Sequence, residues 1–162
     1  MKDLQLVFES LHASYHPMVL QMCRGFVKGD RDLAADLAQD VFINVWNALP
    51  GFRSESSHKT WIYRITVNTC LQHIRKSKDK NRLPIETAGG ITDTTNNEEE
   101  RAATLMRAIG RLENVDRLII MMVLDELEYE EIARVMGISE NNLRVKIHRI
   151  KLRLKTLLQH GE

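Results

Sequence analysis

The chain has 162 residues, enough for one domain or two small ones, and its formal net charge of +1 argues against a uniformly basic coat on nucleic acid. Its two cysteines, Cys23 and Cys70, stand far apart without CxxC or His-Cys ligand spacing, so neither a zinc site nor a secreted disulfide framework is suggested. No signal peptide opens the chain, and the longest apolar run, Leu118 to Leu124, is far too short to span a bilayer, so the expectation is a cytoplasmic protein without membrane insertion.

The first half carries helical patterning and no strand alternation, with helices expected at about Asp3 to Tyr15, Pro17 to Lys28, Arg31 to Leu49 and Lys59 to Lys78. The third is the most informative. At about 100° per residue, Leu37, Ala38, Val41, Phe42, Val45 and Leu49 form one face. Asp32, Asp36, Gln39, Asp40, Ile43 and Asn47 form the other. A plain acidic surface would explain the aspartates cheaply. Ile43, apolar and framed by acids and amides, fits a docking face for a basic protein partner better. An enzyme using Asp32, Asp36 and Asp40 as a metal-dependent phosphohydrolase site is set aside, because no His stands three or four residues from them. No motif asks for a catalytic residue, a metal or a cofactor.

The stretch LPGFRSESSHKTWIYRITVNTCLQHIRKSK follows. A Pro-Gly turn leads into a polar loop, Phe52 to His58. The next helix interleaves Trp61, Tyr63, Asn68 and His73 with Lys59, Arg64, Arg75, Lys76 and Lys78. Aromatic and amide groups among cations suit single-stranded nucleic acid, since an unstacked base needs a surface and the backbone needs positive charge. Trp61 could equally be core.

Asn81 to Glu100 breaks the helical pattern with Pro84, Gly89, Gly90 and a polar Thr/Asn run, which is linker composition. The expected division is 1–80, a linker at 81–103, and 104–162. Each helical module is too small to bury a large core, so a partner holding both would add stability.

In the second module, charge is segregated: Asp125 to Glu131 holds acids and no base, and Arg144 to Lys155 the reverse. Ile132, Ala133, Val135 and Met136 predict a short helix ended by Gly137, and Ser139 should cap the next. There Leu143, Ile147, Ile150, Leu154 and Leu157 make one apolar stripe, with Asn141, Arg144, Val145, His148 and Lys151 pointing away. This is a helix-turn-helix layout, whose second helix enters the major groove. Asn141, Asn142 and Arg144 are of types that reach base edges, whereas His148, Arg149, Lys151 and Lys155 come later, where contacts go mainly to phosphate.

With these residues in view, DLAADLAQDVFINVWNALPGFRSESSHKTWIYRITVNTCLQHIRK resembles region 2 of the extracytoplasmic-function sigma factors, a subfamily of the sigma-70 family. RLENVDRLIIMMVLDELEYEEIARVMGISENNLRVKIHRIKLRLKTLL is similar to their region 4. The resemblance implies an all-α fold of two small helical domains joined by a flexible linker, and a non-enzymatic role in directing core RNA polymerase to promoters. It implies that Asp36, Gln39, Asp40, Ile43 and Asn47 bind the clamp helices of the polymerase beta-prime subunit. It gives capture and melting of the minus 10 element to Arg53, Ser54, His58, Lys59, Trp61, Tyr63, Arg64, Asn68, Arg75 and Lys76. Asn141, Asn142, Arg144, Val145, His148, Arg149 and Lys151 would read the minus 35 element as duplex. Whether an anti-sigma factor also holds the chain is left open. Many members carry an aromatic residue where His58 stands and Asp where Gln72 stands, and the common Gly-Thr-Val-Arg-Ser-Arg run is here Asn141-Asn142-Leu143-Arg144-Val145-Lys146, so base preferences do not transfer. The alternative reading is a helix-turn-helix regulator that binds DNA without docking on polymerase.

Overall fold

A computed structural model describes residues 2–79 and 97–160, so most of the expected linker lies outside the described residues. The described residues form seven α-helices, a 3-10 turn and no strand. In order these are α1 (Lys2–Phe26), α2 (Arg31–Ala48), the turn Leu49–Gly51, α3 (His58–Asp79), α4 (Asn97–Gly110), α5 (Asn114–Leu124), α6 (Tyr129–Met136) and α7 (Glu140–Gln159). None of them is long and apolar enough to cross a membrane.

Two expectations need correcting. The sequence predicts a break at His16, yet α1 runs through Pro17 as one helix. Pro17 lies on the exposed side, while Leu11 before it and Val19, Met22 and Phe26 after it are buried. An interior proline costs ~3 kcal/mol. Each large apolar side chain kept in the core returns ~1.5 to 3 kcal/mol, so one continuous buried face wins. The linker was expected to reach residue 103, but α4 begins at Asn97. Glu98, Glu99 and Glu100 in its first turn meet the positive end of the helix dipole, which local composition had disguised as linker.

The first module is built from α1, α2 and α3. Lys28 and Gly29 take positive φ after α1, and Asp30 caps α2 by accepting from the Leu33 amide at 3.1 Å. The face Leu37, Ala38, Val41, Phe42 and Val45 is buried against α1 and α3. Asn44 Nδ2 donates to Thr69 Oγ1 at 2.9 Å and fixes the register of α2 on α3. Cys23 and Cys70, distant in sequence, meet here as free thiols. A hydrogen bond to Cys23, then burial, pushes the Cys70 thiol far up.

The second module stacks α4 and α5 on the α6–α7 pair. Gly137 ends α6 at φ 70°, the left-handed conformation that glycine adopts without a Cβ clash. Ser139 caps α7 by accepting from the Asn142 amide at 3.1 Å. Leu143, Ile147, Ile150, Leu154 and Leu157 are all buried along α7.

The modules are packed on each other, α1 against α4 and α5, and α3 against α5 and α6. Arg117 of α5 is only 5% exposed. Its guanidinium donates to the carbonyls of Phe26 (3.0 Å) and Leu112 and to Asn114 Oδ1, and lies 5.3 Å from the Phe26 ring centre. Burial holds it below the usual arginine range. At the same junction Gly25 leaves the space that Met121 fills: a Cβ there would sit 2.5 Å from Met121 Sδ.

Candidate nucleic-acid and partner interfaces

The outer side of α2 presents Asp36, Gln39, Asp40, Ile43 and Asn47, all exposed, because the opposite stripe is committed to the core. Ile43 is 51% exposed, and with the neighbouring Trp46 it forms an apolar patch rather than a single scattered residue. Beside it Trp46 is 44% exposed and packs edge-on to Phe8 of α1, ring centres 5.2 Å apart. Phe8, His12, His16, Gln39, Phe42, Ile43 and Trp46 line a shallow groove of about 510 Å³ between α1 and α2. The arrangement offers an apolar seat beside carboxylates, which matches a basic helix with an apolar residue at its centre.

The loop before α3 is shaped by Phe52. Its ring lies 4.7 Å from His58 and 4.7 Å from Trp61, so the three rings form a platform under the polar residues. Arg53 and Ser54 are exposed, and Ser54 takes φ 59°. Ser57 accepts from the Thr60 amide at 3.1 Å and starts the helix. His58, Lys59 and Trp61 are half-buried, while Arg64, Asn68, Arg75 and Lys76 are exposed along α3. This loop end can present ring edges, hydroxyls and cations together.

Tyr63 is placed apart from them in the packed arrangement. It is fully buried, and its hydroxyl bonds the Asp125 carboxylate. An aromatic beside cations reads alike whether it faces solvent or a neighbouring module, and here the module claims it. Two more contacts run the same way. Thr60 Oγ1 donates to Glu131 Oε2 at 3.4 Å, and Arg64 Nη2 donates to the Arg134 carbonyl at 3.1 Å.

On α7 the structure exposes Asn141, Asn142, Arg144, Val145, His148, Arg149 and Lys151 on the side opposite the buried stripe. Arg144 Nη2 pairs with Glu140 Oε1 at 2.8 Å, and its guanidinium lies 5.3 Å from the centre of the Tyr129 ring. Lys151 Nζ donates to Tyr129 Oη at 3.4 Å. Lys146 turns towards α5 instead, where it partly offsets the burial that raises the Asp116 carboxyl. The sequence reading missed Phe52, Tyr129 and Arg117. Phe52 had a signal in the ring residues six and nine places on. Tyr129 had none before the crossing of α6 with α7 was seen.

Residues 11–80 match the family Sigma-70 region 2, and residues 102–154 match Sigma-70, region 4. Among curated relatives, the RNA polymerase sigma factor YlaC of Bacillus subtilis (strain 168) is 33% identical over 132 residues, 76% of this chain and 76% of that protein. The ECF RNA polymerase sigma-E factor of Escherichia coli (strain K12) is 31% identical over 166 residues, 93% of this chain and 85% of the relative. Among solved structures, the sigma factor RpoE of Bartonella quintana, in complex with the anti-sigma factor NepR, superposes with a TM-score of 0.80 at 21% identity over 100% of both chains.

Proposed function

The chain belongs to the extracytoplasmic-function subfamily of the sigma-70 family of RNA polymerase sigma factors, and from that membership we propose how its side chains divide the work of promoter recognition. It directs core RNA polymerase to promoter DNA and starts transcription. A regulator that binds DNA without polymerase is not favoured, because both sigma regions match, in order, across most of the chain.

In our reading, residues 1–80 form the region 2 domain and 104–162 the region 4 domain, with 81–103 between them, the last of these residues, from Asn97, already belonging to α4. Asp36, Gln39, Asp40, Ile43 and Asn47 dock on the beta-prime clamp helices. Arg53, Ser54, His58, Lys59, Trp61, Tyr63, Arg64, Asn68, Arg75 and Lys76 meet the minus 10 element, Tyr63 only after the second module leaves it. Asn141, Asn142, Arg144, Val145, His148, Arg149 and Lys151 meet the minus 35 element. An anti-sigma factor is a further partner, in line with the structural neighbour, and the site of action is the cytoplasm, where the polymerase works. No catalytic step is assigned to any residue.

The observation that carries the melting role is the Phe52–His58–Trp61 platform beneath an exposed polar loop. Extruding a base costs a few kcal/mol in unstacking and unpairing, which stacking and hydrogen bonds to the free base must return. Replacing Ser54 to Ser57 by glycines, with His58 changed to Gly, should leave core binding intact and abolish open-complex formation on paired DNA. A template already unpaired at minus 10 should recover part of the activity. Permanganate reactivity of unpaired thymines reads the outcome, and wild-type reactivity of the loop variant on fully paired DNA would refute the assignment.

A further inference from the structure

Arg144 and Lys151 stand two turns apart on the exposed side of α7, and one side chain from outside that helix touches both. That residue is Tyr129, the first of α6, half-buried where α6 crosses α7. Its ring lies 5.3 Å from the Arg144 guanidinium carbon, and its hydroxyl accepts from Lys151 Nζ at 3.4 Å. Glu140, one turn before Arg144, pairs with the same guanidinium at 2.8 Å.

A free arginine side chain must be ordered before it can make the planar, bidentate pair with guanine that gives sequence discrimination. Glu140 supplies charge on the same helix, but a single ion pair between exposed groups fixes geometry weakly. An aromatic face adds a preferred plane for the guanidinium. Lys151 gains no comparable orientation from a hydroxyl at its tip, and a phosphate contact needs none.

We propose that Tyr129 is a positioning residue of minus 35 readout, its ring presenting Arg144 to a base edge and its hydroxyl tethering Lys151 beside the phosphate backbone. This rests on the reading of Arg144 as a base contact. Losing the ring returns to binding the ordering cost of one long side chain, which corresponds to about 2- to 12-fold in discrimination at a single position.

The test uses holoenzyme assembled from the full chain and core polymerase, with a duplex pool randomised across minus 35. Arg144→Ala should relax preference at one position. Tyr129→Leu should relax the same position by about 2- to 12-fold and should add nothing in the Arg144→Ala background. Tyr129→Phe, which keeps the ring, should retain the preference and lose affinity evenly across sequences. Tyr129→Gln, a second ring-free variant, is measured beside Leu so that a misfolded substitution does not decide the matter. If Arg144→Ala relaxes no position, the reading of Arg144 fails. If it does relax one while both ring-free variants keep the wild-type preference, or if Phe is as relaxed as Leu, Tyr129 does not position it.

Discussion

Replacing Gly25 with leucine should drive the two modules apart. The minus 10 and minus 35 elements lie about 25 base pairs apart by their names, and at ~3.4 Å per pair this is roughly 85 Å of duplex. Yet α3 and α6 are hydrogen-bonded to each other, through Arg64 to the Arg134 carbonyl and Thr60 to Glu131. Both elements cannot be engaged in that arrangement, so promoter binding requires separation. A Cβ on Gly25 would lie 2.5 Å from Met121 Sδ and 2.8 Å from its Cγ and Cε, well inside contact distance. Met121 is flexible and can shift, but the rest of a leucine must also be housed at this junction, and overpacking of this kind costs ~1 to 3 kcal/mol. The helix propensity gained by removing glycine, ~1 kcal/mol, acts on α1 whether the modules touch or not and so drops out of the balance. The packed state should lose roughly 5- to 150-fold in population relative to the separated one. Energy transfer between dyes on the exposed Gln21 and Leu152 would fall in the free variant and match wild type once both are in holoenzyme. Unchanged transfer together with a lower urea midpoint would refute the reasoning, since the strain would then have been absorbed inside the first module.

Charge reversal by Asp40→Lys should weaken pull-down of core polymerase without altering helix content, because Asp40 is exposed and its neighbours Leu37 and Val41 keep their burial. Arg117→Met should lower the urea midpoint. It leaves the Phe26 and Leu112 carbonyls without their donor, at ~1 to 3 kcal/mol each. Burial raises the Asp116 carboxyl above its unfolded value, with Lys146 opposing, so its ionisation weighs against the fold above the folded pKa and this penalty fades as pH falls. Asp116→Asn should therefore equal or exceed wild type in urea stability at neutral pH, with the difference narrowing towards acid. A difference that grows in acid would contradict this.

Where a helix has one buried side, its periodicity was enough. The α7 stripe from Leu143 to Leu157 and the α2 face from Leu37 to Val45 are buried as a wheel predicts, and Gly137 and Ser139 act locally, through backbone conformation and one amide. Contacts between distant segments left no such trace. The Cys23–Cys70 pair joins α1 to α3, and Arg117 reaches back from α5 to Phe26, neither with any local spacing to announce it. Pro17 misled because a proline is a strong local signal, overruled only by burial on both sides of it.

Tyr63 is hidden for a different reason, and its burial locates the part of α3 that the packed arrangement conceals. A wheel assumes one buried side, whereas α3 has two, against α1 and α2 and against α5 and α6. Thr60, Tyr63 and Val67 fall at helical spacing and are buried, leaving a narrower exposed strip of Arg64, Asn68, Arg75 and Lys76. The end of that strip nearest the polar loop is where Arg64 reaches the Arg134 carbonyl, so α6 stands beside the candidate melting platform while the far end is open to solvent. Cations at the open end can meet a duplex backbone before the modules part. Stacking and hydrogen bonding to an unpaired base need the loop end and therefore come after. On this geometry, the modules must part before the duplex opens, and a variant that weakens their packing should reach the open complex sooner after mixing with core polymerase and promoter.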